Sequence, residues 1–330
     1  MIISRTPFRV SFVGGGTDLN AFYAREDGKV LSTTIDKYIY VTVKRQLDIV
    51  EHRYRVAWSK TELKNAIDDI EHPIVREALK IMKIDFPIEV TTFADIPANT
   101  GLGSSSAFTV GLLHALFALK GEMVTKGTLA SIASHIEVDI LGRNIGKQDH
   151  YASAYGNINM FTFHRNHKVS VEPVFYDPNF KETVEKNLML FYTRLKRDAS
   201  EILKNQKEKT PDKFAVLCSM RDLVEPLAGV ISSGKDPHHI GEILHKGWLL
   251  KKSITDEISS KEIDSYYEKA LKAGATGGKL LGAGGGGFLL FYVAPEYQEA
   301  VVKALSDLYR LRFKFDTEGT RITYYDQTRF

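Results

Sequence analysis

Three glycine-rich segments hold the residue types best suited to chemistry. Pro7-Phe-Arg-Val-Ser-Phe-Val-Gly-Gly-Gly-Thr-Asp18 runs a short apolar strand into three glycines, Thr17 and Asp18. Glycine lets backbone approach a ligand and take a positive φ. Asp18 offers a carboxylate to vicinal hydroxyls; equally, Thr17 or Asp18 could cap a helix starting near Leu19. Pro97-Ala-Asn-Thr-Gly-Leu-Gly-Ser-Ser-Ser-Ala107 follows one strand and opens a helix. The first N–H groups of a helix lack partners and sit at its positive dipole end, which suits phosphate. The segment has neither the Gly-Lys-Ser/Thr of a Walker loop nor Gly-x-Gly-x-x-Gly. A serine cap needs less than this, so a nucleotide phosphate is the expected occupant. In Lys279-Leu-Leu-Gly-Ala-Gly-Gly-Gly-Gly-Phe288 the glycines crowd again: eight of the 25 fall between Gly274 and Gly287. Strongly apolar residues follow at once, so a backbone nest at a ligand is expected rather than a linker.

These segments need elements to hold them. Alternation with β-branched and aromatic residues predicts strands at Arg9–Val13, Tyr38–Arg45, Arg53–Trp58, Ile88–Phe93 and Ile158–Phe163. Ser105–Leu119 is apolar nearly all round and predicts a buried helix stopped by Gly121. Leu129, Ile132, Ala133, Ile136 and Ile140 share one face of a helix over Thr125–Leu141. The polar stretch His164–Pro178 is the expected boundary between domains at 1–170 and 171–330. Beyond it, helices are expected at Lys213–Ser232, Ile240–Ser253 and Lys261–Lys272. Strands are expected at Leu188–Thr193, Phe288–Val293, Leu311–Phe315 and Arg321–Tyr325. Strands and helices cluster rather than alternate, so the class is α+β. Trp58 and Trp248 are expected in the core, and Lys204–Lys209 at a solvated helix end.

Composition excludes several classes. The 330 residues are 43% hydrophobic and 26% charged, which is globular. A net charge of +3 is too balanced for a dedicated nucleic-acid binder. A single cysteine, Cys218, precludes an internal disulfide and fits a reducing compartment. Neither a secretion signal nor an apolar run of ~18–20 residues is present, so a cytoplasmic protein that binds no membrane is expected.

In this order the three segments resemble the motifs of the GHMP kinases, named for galactokinase, homoserine kinase, mevalonate kinase and phosphomevalonate kinase. Pro7–Asp18 matches motif one. Pro97–Ala107 fills every fixed position of motif two, and Leu280–Gly287 matches motif three. The form of motif one and the segment Tyr192–Leu203 look most like the heptose 7-phosphate kinases, with fucokinases next. Galactokinases carry a glutamate where motif one here has Gly14-Gly-Gly-Thr-Asp18, which argues against galactose.

The resemblance implies a two-domain fold: an N-terminal domain similar to one in a ribosomal protein, and a ferredoxin-like C-terminal domain. It implies transfer of the ATP γ-phosphate, with Mg²⁺, to the anomeric hydroxyl of D-glycero-D-manno-heptose 7-phosphate. Gly101, Leu102, Gly103, Ser104, Ser105 and Ser106 would bind ATP. Ser105 and Glu137 would hold Mg²⁺, with Asp139 a competitor for Glu137. Asp149 would be the base, His150 its neighbouring rival. Arg9 would offset developing charge. Gly15, Gly16, Thr17, Asp18, Gly284 and Gly285 would contact the sugar. For its phosphate, Arg25, Arg143, Lys147, Lys196 and Arg197 are candidates, Arg197 first. A homodimer is compatible. The rival readings are a fucokinase or other sugar 1-kinase, a non-catalytic sugar and nucleotide sensor, and an RNA-binding module.

Overall fold

A computed structural model describes residues 1–195, 199–210 and 212–326. Two sheets organise them. The chain begins with β1 (Ile2–Val13) and the 18-residue β2 (Gly28–Arg45), paired antiparallel from Ile2↔Val43 to Val13↔Leu31. Short strands β3 (Tyr54–Ala57) and β4 (Thr61–Lys64) follow, then β5 (Ile88–Ala94), which joins β2 on one side and runs parallel to β3 on the other. β6 (Asn159–Phe163) and β7 (Val169–Pro173) extend the other end of β2. The second sheet comprises β8 (Leu188–Tyr192), β9 (Ala275–Leu280), β10 (Phe288–Val293) and β11 (Tyr309–Leu311) in the order β11-β8-β10-β9, all antiparallel. Helices fill the β8–β9 and β10–β11 connections, which is the ferredoxin-like arrangement. β12 (Phe315–Asp316) and β13 (Arg321–Tyr325) return to the first sheet, on β2 and β1.

The expected cut after residue 170 therefore falls inside β7, and residues 315–325 lie back in the first sheet. His164–Pro178 looked like a linker because it is polar and carries prolines. Much of it is an edge hairpin, closed by His164 N–H donating to the Lys168 carbonyl at 2.9 Å, with Pro173 at the strand end where proline is tolerated.

The helix Ser104–Lys120 is the central beam of the first unit. Its apolar residues are buried on every side, as the sequence predicts. It starts after Gly103 and stops at Gly121, both left-handed at φ 76° and 72°. Gly121 and Glu122 N–H groups bond back to Ala118 and Phe117 carbonyls and so satisfy its last turn. The second unit has its own core around Phe191, Trp248, Tyr267 and Phe291. Trp58 is not core: it is 42% exposed, its indole N–H bonds Glu62 at 2.9 Å, and its ring stands edge-on to His72.

Candidate active site

The three glycine-rich segments converge on one cavity of about 780 Å³ between the two units. Motifs two and three hold each other by backbone. Gly101 has φ 84°, and a Cβ there would lie 2.6 Å from the Leu281 carbonyl oxygen. Only glycine fits both the conformation and the approach. The helix then begins at Ser104, so its first turn, Ser104, Ser105 and Ser106, lines the cavity with Gly101 and Gly103. Leu102 points away into the core, and its carbonyl accepts the Arg9 N–H at 3.1 Å.

Arg9 is only 4% exposed, so it is no surface strand residue. Its Nε and Nη2 donate to Asp149 Oδ1 and Oδ2, both at 2.6 Å, and Nη1 donates to the Gly101 carbonyl at 2.6 Å. This two-pronged pair fixes the Asp149 carboxylate in plane and angle. It also ties β1 to the motif-two loop. Asp149 stands in the first turn of the helix Gln148–Tyr155.

Asp18 lines the same cavity. Its carboxylate accepts from Gly16 N–H at 2.9 Å and from the backbone and side-chain nitrogens of Gln148 at 3.2 Å. Burial, and then the charge on Asp149, push its pKa above the usual carboxylate range. Gly146 is the partner that makes room: a Cβ there would collide with Oδ2 of Asp18. The short helix Asn20–Tyr23 after motif one has Leu19 at its N-cap and no side-chain cap, so neither Thr17 nor Asp18 caps it.

Glu137 lies at a break in helical geometry. The expected helix is α-helical over Lys126–Ser134 and becomes a π-turn over His135–Ile140. Such turns re-aim side chains and are frequent at functional sites. Here it turns Glu137 fully inward. Its oxygens accept from Ser105 Oγ, from Thr109 Oγ1 at 2.8 Å and from Arg143 at 2.5 Å, and one faces His150 Nε2 at 3.0 Å. Burial alone would raise its pKa; hydrogen bonds from His150 and Ser105 and the Arg143 charge overcome that and hold it at about 2. Glu137 is thus an ionised carboxylate touching a serine hydroxyl, a donor pair that suits a hard cation. Arg143 also donates to Ser105 Oγ at 2.6 Å, so a guanidinium bridges the two oxygen groups. The rivals fall elsewhere. Asp139 is exposed and pairs with His135 at 2.8 Å. His150 is fully buried behind Glu137 and does not reach the cavity.

Other expected residues lie apart from the cavity. Thr17 is buried and bonds the Gly14 and Lys29 carbonyls at 2.8 and 2.9 Å. Gly284 and Gly285 pack on the turn at Ile258, with Gly285 N–H on the Ile258 carbonyl at 2.9 Å; Gly282 and Ala283 reach the cavity instead. Arg25 lies over the Phe214 ring and Lys147 near the Tyr23 ring. Arg197, with Lys196, lies outside the described residues. Two cations were missed altogether. Lys251, in the helix His238–Lys252, and Lys279, on β9, are buried and line the cavity. Lys279 opens the quoted glycine-rich segment, which was a usable signal; Lys251 sits in an amphipathic helix and gave none.

Models of the GHMP kinases N terminal domain and GHMP kinases C terminal match residues 72–157 and 224–311. A D-glycero-alpha-D-manno-heptose 7-phosphate kinase of Campylobacter jejuni is 30% identical over 334 residues, covering 97% of this chain and 98% of its own. The structure of a D-glycero-D-manno-heptose 1-phosphate kinase from Bacteriodes thetaiotaomicron superposes with a TM-score of 0.80 at 24% identity, covering 99% of this chain and 100% of that one. A Lactococcus lactis galactokinase solved with galactose gives 0.74 at 17% identity, covering 98% of this chain and 94% of its own. The fold is common to all of these, and the likeness to the first relative runs nearly end to end. The chain belongs to the GHMP kinase family and is an ATP-dependent phosphotransferase.

Proposed function

We propose that this enzyme phosphorylates the anomeric hydroxyl of D-glycero-D-manno-heptose 7-phosphate, giving the 1,7-bisphosphate. The near end-to-end likeness to a heptose 7-phosphate kinase carries the reading. The cavity, lined by Arg9, Arg143, Lys251 and Lys279, agrees with phosphoryl transfer. Motif one lacks the glutamate of galactokinases. The paired Arg9 and Asp149 favour catalysis over a mere sensor. No described helix is long and apolar enough to cross a membrane.

The loop Gly101–Ser106 receives the ATP phosphates on its N–H groups. Ser105 and Glu137 would hold Mg²⁺, which when bound supplies positive charge to phosphate oxygens. Asp149, held by Arg9, accepts the proton of the attacking hydroxyl. Asp18, with Gln148, orients the sugar.

The test is ADP release on a panel of acceptors, with the product anomer read by NMR. Heptose 7-phosphate should give the highest kcat/KM, with phosphate at C1. A faster reaction with fucose or mannose would overturn the reading.

A further inference from the structure

We propose that Lys251 and Lys279 form a two-cation clamp for the transferring γ-phosphoryl group, placed where the donor loop meets the acceptor loop. Each ammonium has three donors, and each is seen using one, on a backbone carbonyl. Lys251 Nζ donates to the Gly282 carbonyl, and Lys279 Nζ to the Phe12 carbonyl at 2.7 Å. Neither makes an ion pair among the described residues. The other cations of the cavity are matched: Arg9 by Asp149 and Arg143 by Glu137. A buried amine with no ion-pair partner is driven toward its neutral form unless an anion faces it, so two such lysines facing one cavity mark a place for an anion.

Position selects which anion. Gly282, the partner of Lys251, packs directly on Gly101 of the phosphate loop. Phe12, the partner of Lys279, lies two residues before Gly14 of motif one. The pair therefore spans the seam between donor and acceptor motifs, and Lys251 senses the charges of Arg9, Asp18 and Asp149. A phosphate carried at the far end of the acceptor would lie away from this seam.

In the transfer, the acceptor oxygen forms a bond to the γ-phosphorus. The bond from that phosphorus to the β–γ bridging oxygen breaks, and the electron pair leaves with ADP. The hydroxyl proton passes to the Asp149 carboxylate and then to solvent. Charge spreads over the three equatorial oxygens meanwhile, and the free ammonium donors are positioned to take it. This inference needs only the kinase activity of the family and does not depend on which sugar is the acceptor.

Lys251→Met and Lys279→Met keep length and apolar bulk while removing the charge. Affinities for Mg·ADP and for Mg·AMP-PNP, measured by calorimetry, separate the γ-phosphate from the rest of the nucleotide. Each variant should bind ADP within about 3-fold of wild type, which also shows that the site is folded. AMP-PNP should bind about 10–150-fold more weakly, the range for one charge-assisted hydrogen bond, and kcat should fall at least as far. Lys251→Arg should recover part of the loss. Equal losses for both nucleotides, or no loss of AMP-PNP affinity, would overturn the proposal. A raised KM for a phosphorylated acceptor with AMP-PNP affinity intact would overturn it too, assigning the clamp to the acceptor's own phosphate.

Discussion

Replacing Asp149 by Asn separates positioning from proton transfer. The amide keeps one oxygen that can accept from Arg9 Nε or Nη2, both now at 2.6 Å from carboxylate oxygens. The other Arg9 donor then faces an NH₂ group. Losing one charge-assisted bond of that kind costs ~1.5–3 kcal/mol, or about 10–150-fold if all of it is felt in the transition state. Losing a general base costs ~10²–10⁴-fold in kcat. A fall well beyond about 150-fold therefore requires that Asp149 take the proton. Arg9→Gln provides the comparison, since it disturbs orientation and leaves the base in place, and its loss should be the smaller. Steady-state ADP release gives kcat, and calorimetric ADP binding shows whether the nucleotide site survives. ADP affinity should change by less than about 3-fold, because a base acts on the acceptor hydroxyl and ADP carries no acceptor. If Asp149→Asn retains kcat within about 10-fold of wild type, the base assignment fails.

Ser105→Ala and Glu137→Gln should both raise the Mg²⁺ concentration for half-maximal rate, Glu137→Gln more; an unchanged Mg²⁺ dependence in both would refute the pair. Because Glu137 is buried among Ser105, Thr109, Arg143 and His150, Glu137→Gln should also cost ~3–5 kcal/mol of stability by chemical denaturation. Gly101→Ala forces a side chain onto the Leu281 carbonyl at φ 84°; strain of ~1–3 kcal/mol or more should appear as a lower melting temperature together with weaker ATP binding. Burial, then the Arg9 charge, lower the Lys251 pKa to about 8, against Asp18 and Asp149, and burial, Lys251 and Arg9 drive Lys279 well below its usual value. A γ-phosphate would raise both, so AMP-PNP binding near pH 8 should take up protons and weaken as pH rises through 8, while ADP binding stays flat; buffer-dependent binding enthalpies check this. Arg197→Ala should lower kcat/KM for the phosphorylated sugar about 10–150-fold and hardly touch an unphosphorylated one.

The local placement of the glycine-rich segments was legible because glycine and serine punctuate the chain. Glycine and serine at a helix start leave a dense signature, and Pro97–Ala107 sits where that reading places it. Strong periodicity also transferred well: Lys261–Lys272 and Phe288–Val293 form with the predicted ends. What escaped was long-range. A 3.6-residue period leaves Glu137 off the face shared by Leu129, Ile132, Ala133, Ile136 and Ile140, whereas the π-turn buries it fully. β9, Ala275–Leu280, was missed since two of its six residues are glycine, which hides strand propensity. Gly277 lets the helix His238–Lys252 approach, since a Cβ there would strike the Gly241 carbonyl. Lys251 escaped because nothing local in its helix tells that its side chain is buried at the cavity, and Lys279, though it opens a glycine-rich segment, reaches the Phe12 carbonyl only through the long-range contact of the two units.

The return of β12 and β13 to the first sheet sets the order in which this molecule can assemble. β1 pairs with β13 at Ile2↔Tyr325, and β2 with β12 at Ile35↔Phe315. Until residues 315–325 have left the ribosome, one flank of β1 is a bare edge and Phe315 is missing from the packing beside Phe12. The whole ferredoxin-like unit is synthesised inside that interval, so it can collapse on its own core first. The first unit stays open, with an unpaired strand exposed to other chains. Closing a loop of some three hundred residues is slow and entropically costly. Truncation before Phe315 should therefore yield a protein whose second unit is protected from hydrogen exchange while β1 is not, and which aggregates through that edge.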